Sequence, residues 1–357
     1  MTHGFVLGEF APFHRGHEFL IQQARAQCDV LTVVVCSYES DELPSWLRYH
    51  WVKSTFPELD VREGTRGEGA REGAREGARG LARENYYTTL EEYLLRNVTR
   101  AEGARGLALE NDEMTRAKPR APCLFESGET QKPVAKRLGF QHISIDPKRK
   151  NFPVRTTEIW ENPLAHWDLL SKNVRPHYIK RVALVGPESC GKSYLAEQLA
   201  AHFHTVFVEE YGRTYCEKFG MDSTELDFAH VAGGQLYRED EMALQANRIL
   251  FCDTELIVTQ VWSEVYFKGK CQPWIFWANH ARRYDLFLLL APDIPWVNDG
   301  LREYESQREW MFERLRQELE SRGLRYEIIR GGFEERTASA IRAVECLEVS
   351  TEPTAQV

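Results

Sequence analysis

Two stretches of the 357-residue chain carry residue types at spacings suited to handling phosphates. The first, Gly186-Pro187-Glu188-Ser189-Cys190-Gly191-Lys192-Ser193, fits GxxxxGK[ST] without a mismatch. It follows the apolar run RVALVG (181–186) and opens into KSYLAEQLAAHF, the strand-then-helix setting this motif requires. Its glycines let backbone N–H groups curl around an anion, and the start of the helix adds partial positive charge. Lys192 then reaches the β- and γ-phosphates, and Ser193 ligates Mg²⁺. The second stretch, Gly8-Glu9-Phe10-Ala11-Pro12-Phe13-His14-Arg15-Gly16-His17, fits GxFxPxHxGH and ends the apolar run GFVLGE (4–9). A His-x-Gly-His turn at a strand-to-helix junction sets two imidazoles against a nucleoside triphosphate. There they stabilise charge developing on the α-phosphate and the departing pyrophosphate, without a covalent nucleophile.

Phosphoryl transfer needs more than a phosphate loop: an acid near the acceptor hydroxyl, a second acid for the metal, and basic groups for the migrating charge. Asp253 closes the apolar run ANRILFCD as a Walker-B-like carboxylate does, and Glu209 and Glu210 close HTVFVEEYGR. Open α/β sheets bind ligands at the carboxyl ends of their strands, which places Glu210 and Asp253 beside the phosphates. Arg302 and Arg308 fall at or just after the start of a long charged helix, expected over 300–323, where a lid sits.

The elements that must hold these groups repeat one plan of apolar strand, glycine-bearing turn and amphipathic helix. VLTVVVCS (30–37), APCLFES (121–127), FQHISID, RYDLFLLLA (283–291) and LRYEIIRGG read as further strands. TQKPVAKRLG reads as a short helix stopped by Gly139, and TASAIRAVECLEV as the last helix. Strands alternating with helices predict an α/β fold of two doubly wound parallel sheets. The boundary is expected near Pro176, giving domains 1–175 and 176–350. Between about 61 and 119 the first domain carries an Arg/Glu/Gly/Ala-rich insertion, in which EGARGLA occurs at 76–82 and again at 102–108. Gly weakens helices and alternating charge favours solvation, so 61–84 and 100–119 read as low-complexity chain around a helix over 85–97.

Composition narrows the class. Lys+Arg 45 against Asp+Glu 54 gives net −9, which disfavours nucleic acid as a partner. No apolar run is long enough to span a membrane, and MTHGFVLGEF lacks the features of a signal peptide. The eight cysteines form no CxxC pair, which points to a reducing cytoplasm rather than disulfides or zinc. The sequence is compatible with a homo-oligomer without requiring one.

The blocks EEYGRTYCEKFG (209–220), DTELIVTQVW (253–262), YFKGKCQPW (266–274) and WVNDGLREYESQ (296–307) resemble, in order and spacing, those of the ribosylnicotinamide kinase domain of NadR-type bifunctional proteins. The N-terminal motif resembles that of nucleotidyltransferases, and GFQHISIDPKRKNFPV (139–154) with ENPLAHWDLL (161–170) is similar to the NadR-type transferase domain. The resemblance implies a Rossmann-like nucleotidyltransferase domain followed by a P-loop kinase. The kinase phosphorylates nicotinamide riboside, and the transferase joins the mononucleotide to an adenylyl group from ATP, giving NAD and pyrophosphate. ATP and Mg²⁺ are the implied cofactors. Nicotinamide riboside carries a permanent pyridinium charge, for which aromatic faces and a carboxylate suit. Tyr211, Trp296 and Asp299 are the candidates here, with Glu210 acting on the 5′-hydroxyl and Asp253 its alternative. ATP contacts are expected at Gly8, Phe10, Gly186, Glu188, Ser189, Cys190, Gly191, Lys192, Ser193, Arg302 and Arg308, and catalytic roles at His14, His17, Lys192, Glu210 and Asp253. Ser193 and Asp253 are the expected metal ligands.

The chain departs from that pattern at the second transferase motif, ISxTxxR, which here reads VRTTEIW (154–160): Thr157 is kept, but Arg155 replaces the Ser and Trp160 the Arg. Glu9 also stands where the family is usually basic. A charge-assisted bond to phosphate contributes about 1.5–3 kcal/mol, so losing the Arg predicts a transferase weakened about 10- to 150-fold. Arg155 or the run Lys148-Arg149-Lys150 offers a substitute charge. The bifunctional assignment leads. A kinase with a degenerate transferase, or a sensor of NAD-related nucleotides without turnover, are its competitors. Some NadR-type proteins carry a DNA-binding module before the transferase; none is expected here, nor is direct transcriptional repression.

Overall fold

The computed structural model describes residues 1–37, 41–65, 121–220, 223–296 and 305–349. The chain divides into two compact units, Met1–Val174 and Arg175–Thr354.

In the first unit, strands β1 (His3–Gly8), β2 (Val30–Ser37), β3 (Asp60–Thr65), β4 (Cys123–Glu126) and β5 (Gln141–Ser144) form an all-parallel sheet in the order β3-β2-β1-β4-β5. Helices α1 (Arg15–Arg25), α2 (Ser45–Thr55), α3 (Lys132–Leu138) and α4 (Thr156–Glu161) supply the connections. Strands buried on both faces read as unbroken apolar runs, and VLTVVVC in β2 is buried from Leu31 onward. Gly139 ends α3 in the left-handed region at φ 71, as its C-terminal glycine predicts. One boundary needs correction. The expected low-complexity stretch begins inside a strand, since 61–65 pair in register with Val33–Ser37. Backbone hydrogen bonding at a sheet edge tolerates the polar sequence REGT, which composition alone reads as coil. The helix expected over 85–97 lies outside the described residues.

The second unit begins with a helical turn, α5 (Arg175–Tyr178), and holds a second parallel sheet of β6 (Lys180–Val185), β7 (Phe207–Val208), β8 (Ile249–Asp253), β9 (Leu286–Leu290) and β10 (Tyr326–Ile329), ordered β10-β9-β6-β8-β7. Its helices are α6 (Lys192–His202), α7 (Tyr211–Phe219), α8 (Glu225–Ala243), α9 (Leu256–Tyr266), α10 (Pro273–Ala281), α11 (Arg308–Ser321) and α12 (Phe333–Val349). Successive β6 residues face opposite ways, so the sheet has two cores. Val182 and Leu184 pack with Leu195 and Leu199 of α6 and Val344 of α12. Ala183 and Val185 pack with Ile257 and Val261 of α9 and Phe312 and Leu315 of α11. The long charged helix starts at Arg308, after a 3₁₀ turn at Glu305–Gln307, rather than at 300. The strand expected to carry Glu209 and Glu210 ends at Val208, and Glu210 is the N-cap of α7.

All eight cysteines are free thiols. No helix among the described residues is long and apolar enough to cross a membrane.

Candidate active sites

The phosphate loop leaves β6 through Gly186, whose φ of 154 and close approach to the Leu290 carbonyl, 2.8 Å from an added Cβ, exclude a side chain. It enters α6 through Gly191 at φ 83. Lys192 arches back over the loop, Nζ donating to the carbonyls of Gly186 (3.2 Å) and Pro187 (3.0 Å). Two arginines brace the loop. Arg336, 2% exposed, donates to the carbonyls of Cys190 (3.0 Å), Ala291 (2.9 Å) and Gly331 (2.7 Å) and pairs with Asp293. Arg308 donates to the carbonyls of Ser189 (3.2 Å) and Ile294 (3.1 Å). Arg336 is not legible from sequence, because its partners lie on three separate segments.

Carboxylates gather around the lysine. Asp253 is 1% exposed at the end of β8. Burial and then the Glu210 charge push its carboxyl up to about 6, against the pull of Lys192 and a Ser193 hydrogen bond. Burial alone would lower the Lys192 ammonium, but Cys190, Glu210, Asp253 and Glu188 outweigh it and raise its pKa. Gln235 ties this end of the sheet together: its Oε1 accepts from the Tyr211 N–H (2.9 Å) and its Nε2 donates to the Thr254 carbonyl (3.2 Å).

The loop and Glu210 open onto one cavity of about 640 Å³, while Asp253 and Arg308 are not among its lining residues. Gly186, Glu188, Ser189, Cys190, Gly191, Lys192, Ser193 and Glu210 line it, as does an aromatic group of Phe228, Trp262 and Tyr266. The rings of Phe228 and Tyr266 lie 5.6 Å apart, and those of Trp262 and Tyr266 6.2 Å. Neither Tyr211 nor Trp296 is among the lining residues. The Tyr211 ring covers Gly234 and lies 4.8 Å from the Arg238 guanidinium, while Trp296 lies 5.8 Å from that of Arg308. Asp299 and Arg302 fall outside the described residues. Among the described residues, the rings that line the cavity are those of Phe228, Trp262 and Tyr266 together with Tyr194 and Phe333. Phe228 and Trp262 reach the cavity only because α8 and α9 pack side by side.

In the first unit, His14 caps α1, its Nδ1 accepting from the Gly16 N–H (3.1 Å). That bond leaves the proton on Nε2, which donates to Thr156 Oγ1 at 3.0 Å. His17 stacks on His14, ring centroids 3.8 Å apart, and its Nδ1 is buried without a hydrogen-bond partner. Both imidazoles are held neutral. Burial and the Arg149 charge lower His14 to about 4, and burial and His14 lower His17 well below 6.5. Phe10 is 1% exposed and meets His17 edge-on at 5.1 Å, so its ring supports the imidazole from behind, and Gly8 makes room for that ring. Asp146 shapes the basic run, accepting from the N–H groups of Lys150 and Asn151 (both 2.8 Å). Arg155 caps α4 and is exposed. The motif threonine that meets His14 is thus Thr156, not the retained Thr157.

The two halves define a class: a P-loop kinase-like α/β unit joined to a nucleotidyltransferase-like one, each with its ligand groups at the carboxyl ends of parallel strands. Residues 181–336 match the AAA domain family and residues 4–64 the citrate lyase ligase C-terminal domain family. The trifunctional NAD biosynthesis/regulator protein NadR of Escherichia coli (strain K12) is 28% identical over 325 residues, which cover 85% of this chain and 72% of that protein. Two solved structures of NadR superpose over nearly the whole chain. The one in complex with NR has TM-score 0.77 at 23% identity, covering 98% of this chain and 96% of that one. The one in complex with NAD and AMP-PNP has TM-score 0.73 at 24% identity, covering 97% and 96%. The chain is similar to NadR along most of its length, in sequence and in fold.

Proposed function

We propose that this protein is a two-step enzyme of NAD biosynthesis, in which the second unit phosphorylates nicotinamide riboside with ATP and the first joins the resulting mononucleotide to an adenylyl group from a second ATP. The similarity to NadR supports the pairing. One observation carries the kinase half: a single cavity holds the phosphate loop, Glu210, and the aromatic faces of Phe228 and Trp262 suited to a pyridinium cation. The 5′-hydroxyl oxygen bonds to the γ-phosphorus as the bond to the β–γ bridging oxygen breaks. ADP leaves, and the hydroxyl proton passes to Glu210. Lys192 and the loop amides stabilise charge on the transferred group.

Mg²⁺ fits the donors present. Asp253 Oδ1 is buried without a hydrogen-bond partner beside the Ser193 hydroxyl. No cluster of three or more His, Cys, Asp or Glu forms a metal cage among the described residues. A hard cation held by one carboxylate, one hydroxyl and the substrate's phosphates suits that set. When bound, Mg²⁺ neutralises charge on the β- and γ-oxygens.

In the first unit, neutral His14 and His17 donate N–H groups to the α-phosphate as the mononucleotide's phosphate oxygen attacks it and pyrophosphate departs. Purified protein given ATP, Mg²⁺ and nicotinamide riboside is expected to form the mononucleotide and ADP. Given the mononucleotide and ATP, it is expected to form NAD and pyrophosphate. No product in the first assay overturns the kinase reading, and none in the second overturns the transferase reading.

A further inference from the structure

Gln235 lies on the cavity wall, 2% exposed, and the chemistry of phosphoryl transfer gives it no part. Its amide joins two pieces of backbone that the reaction does use. On one side is Thr254, which follows Asp253 at φ 70, a left-handed conformation that β-branched residues rarely adopt. The Thr254 N–H donates to the carbonyl of Leu184 (3.1 Å), on the strand that leads into the phosphate loop, and its carbonyl accepts from Gln235 Nε2 (3.2 Å). On the other side is Tyr211, the first residue of α7, whose N–H donates to Gln235 Oε1 (2.9 Å). Glu210 is the N-cap of that helix. The ladder between β7 and β8 stops at Val208, so the sheet does not fix Glu210 directly. A glycine makes the bridge short enough. Gly234 stands inside α8, where glycine weakens a helix, and a Cβ there would fall 2.1 Å from the Tyr211 ring. Its bare backbone lets α7 lie close enough on α8 for the Tyr211 N–H to reach Gln235.

Resting on the kinase reading above, we infer that Gln235 is a positioning residue for Glu210: it carries the fixed geometry of the loop's strand, through Thr254, to the first turn of α7, and so sets where the carboxylate meets the 5′-hydroxyl. Both ends of its amide are engaged within the protein, and it acts on the reaction only through these two backbone contacts. A base displaced by about 1 Å from its productive geometry loses about 10²-fold in rate, which makes one buried amide a large lever on turnover.

Steady-state kinetics of the full-length protein with ATP, Mg²⁺ and nicotinamide riboside test this. Q235M keeps the length and volume of the side chain and removes both bonds. It is expected to lower kcat about 10- to 100-fold while KM for each substrate stays within about twofold, because Glu210 acts on a proton in the transition state and not on binding. Adenylylation of supplied mononucleotide is expected to stay unchanged. The decisive readout is a double-mutant cycle with E210Q. Adding Q235M to E210Q is expected to cost no more than about twofold in kcat, since no base is left to position. An equal cost in both backgrounds, or an unchanged kcat in Q235M alone, overturns the inference and leaves the kinase reading standing. If Q235M does not fold, as judged by thermal melting, G234A carries the same cycle, because its methyl group drives the Tyr211 ring off α8 with Gln235 intact. If the wild-type protein makes no mononucleotide, the kinase reading falls and this inference with it.

Discussion

The two nucleotide sites of this chain use different materials. In the second unit the anion cradle is mostly backbone: loop amides between Gly186 and Gly191, held in place by carbonyl contacts from Arg308 and Arg336. In the first unit the equivalent work falls to side chains brought from distant segments, His14 and His17 from one and Thr156 with Arg149 from another, 142 residues apart for the His14–Thr156 pair. A backbone cradle survives sequence change as long as its glycines do. A side-chain cradle depends on each residue separately, and Arg155 and Trp160 stand where the NadR-type pattern has Ser and Arg. The insertion within the first unit lies between β3 and β4, strands on opposite sides of β1 in the sheet.

The largest expected effect breaks one site and spares the other. K192A removes the lysine that arches over the backbone cradle and is expected to lower kcat for riboside phosphorylation about 10²- to 10³-fold, the scale of losing a preorganised charge-stabilising group. Adenylylation of supplied mononucleotide is expected to hold. A parallel fall in both activities, measured on the same preparation, would show that the sites are not independent.

Next comes an opposition in pH. Folded His14 has its pKa near 4 against an ordinary 6.5, so between these values the unfolded chain holds a proton that the folded unit does not. Stability of the first unit therefore falls as pH drops through that window, by about 3 kcal/mol in all at about 1.4 kcal/mol per pH unit, and His17 adds in the same direction. The second unit behaves in reverse. Glu255 is fully buried, and burial is the chief reason its carboxyl is pushed up to about 8 from 4.5. Across that range the folded unit keeps a proton that the unfolded chain has released, so stability falls as pH rises. Urea unfolding read by pulse proteolysis, with peptides assigned to each unit, is expected to show the first unit weakening from pH 7 to 5 and the second from pH 5 to 7. Midpoints that move together contradict this.

A smaller effect sharpens the comparison by adding a cation to the side-chain site. W160R restores a phosphate-holding cation and is expected to speed adenylylation about 10- to 150-fold, with riboside phosphorylation unchanged. R149A is expected to slow whatever adenylylation the natural chain has, because Arg149 is the charged group acting on His14. If W160R gains nothing and R149A loses activity, the basic run beside Asp146 already supplies the missing charge.

How much of this was legible in the sequence follows the same division. The phosphate loop is contiguous, so its residues, its strand and its helix were all readable from one stretch. Asp253 was readable because an apolar run stops there. Phe228, Trp262 and Gln235 were not, because only the packing of α8 against α9 and α7 turns them inward. Nor does the sequence show how Tyr211 is turned: its N–H meets Gln235 while its ring lies over Gly234. The start of β3 was hidden for a different reason. Edge-strand pairing depends on backbone groups, and the glycine- and arginine-rich composition around it says nothing about them.

The smallest expected effect bears on the motif itself. By the ISxTxxR pattern Thr157 is the retained member of VRTTEIW, yet the hydroxyl within reach of His14 Nε2 belongs to Thr156. The bond matters because His14 has only two ring nitrogens. With Nδ1 accepting from Gly16, the Nε2–H is fixed, and Thr156 sets where that donor points before a phosphate arrives. T156V removes the partner while keeping the shape. It costs one neutral hydrogen bond, about 0.5–1.5 kcal/mol, or about 2- to 13-fold in kcat/KM for adenylylation. T157V, exposed and out of reach, is expected to leave that rate alone. If instead T157V is the slower variant, the hydroxyl used during turnover is the one the motif names, and α4 must rotate when nucleotide binds. A backbone cradle needs no such rearrangement, so this pair of variants measures how far the side-chain site depends on its ligand to complete it.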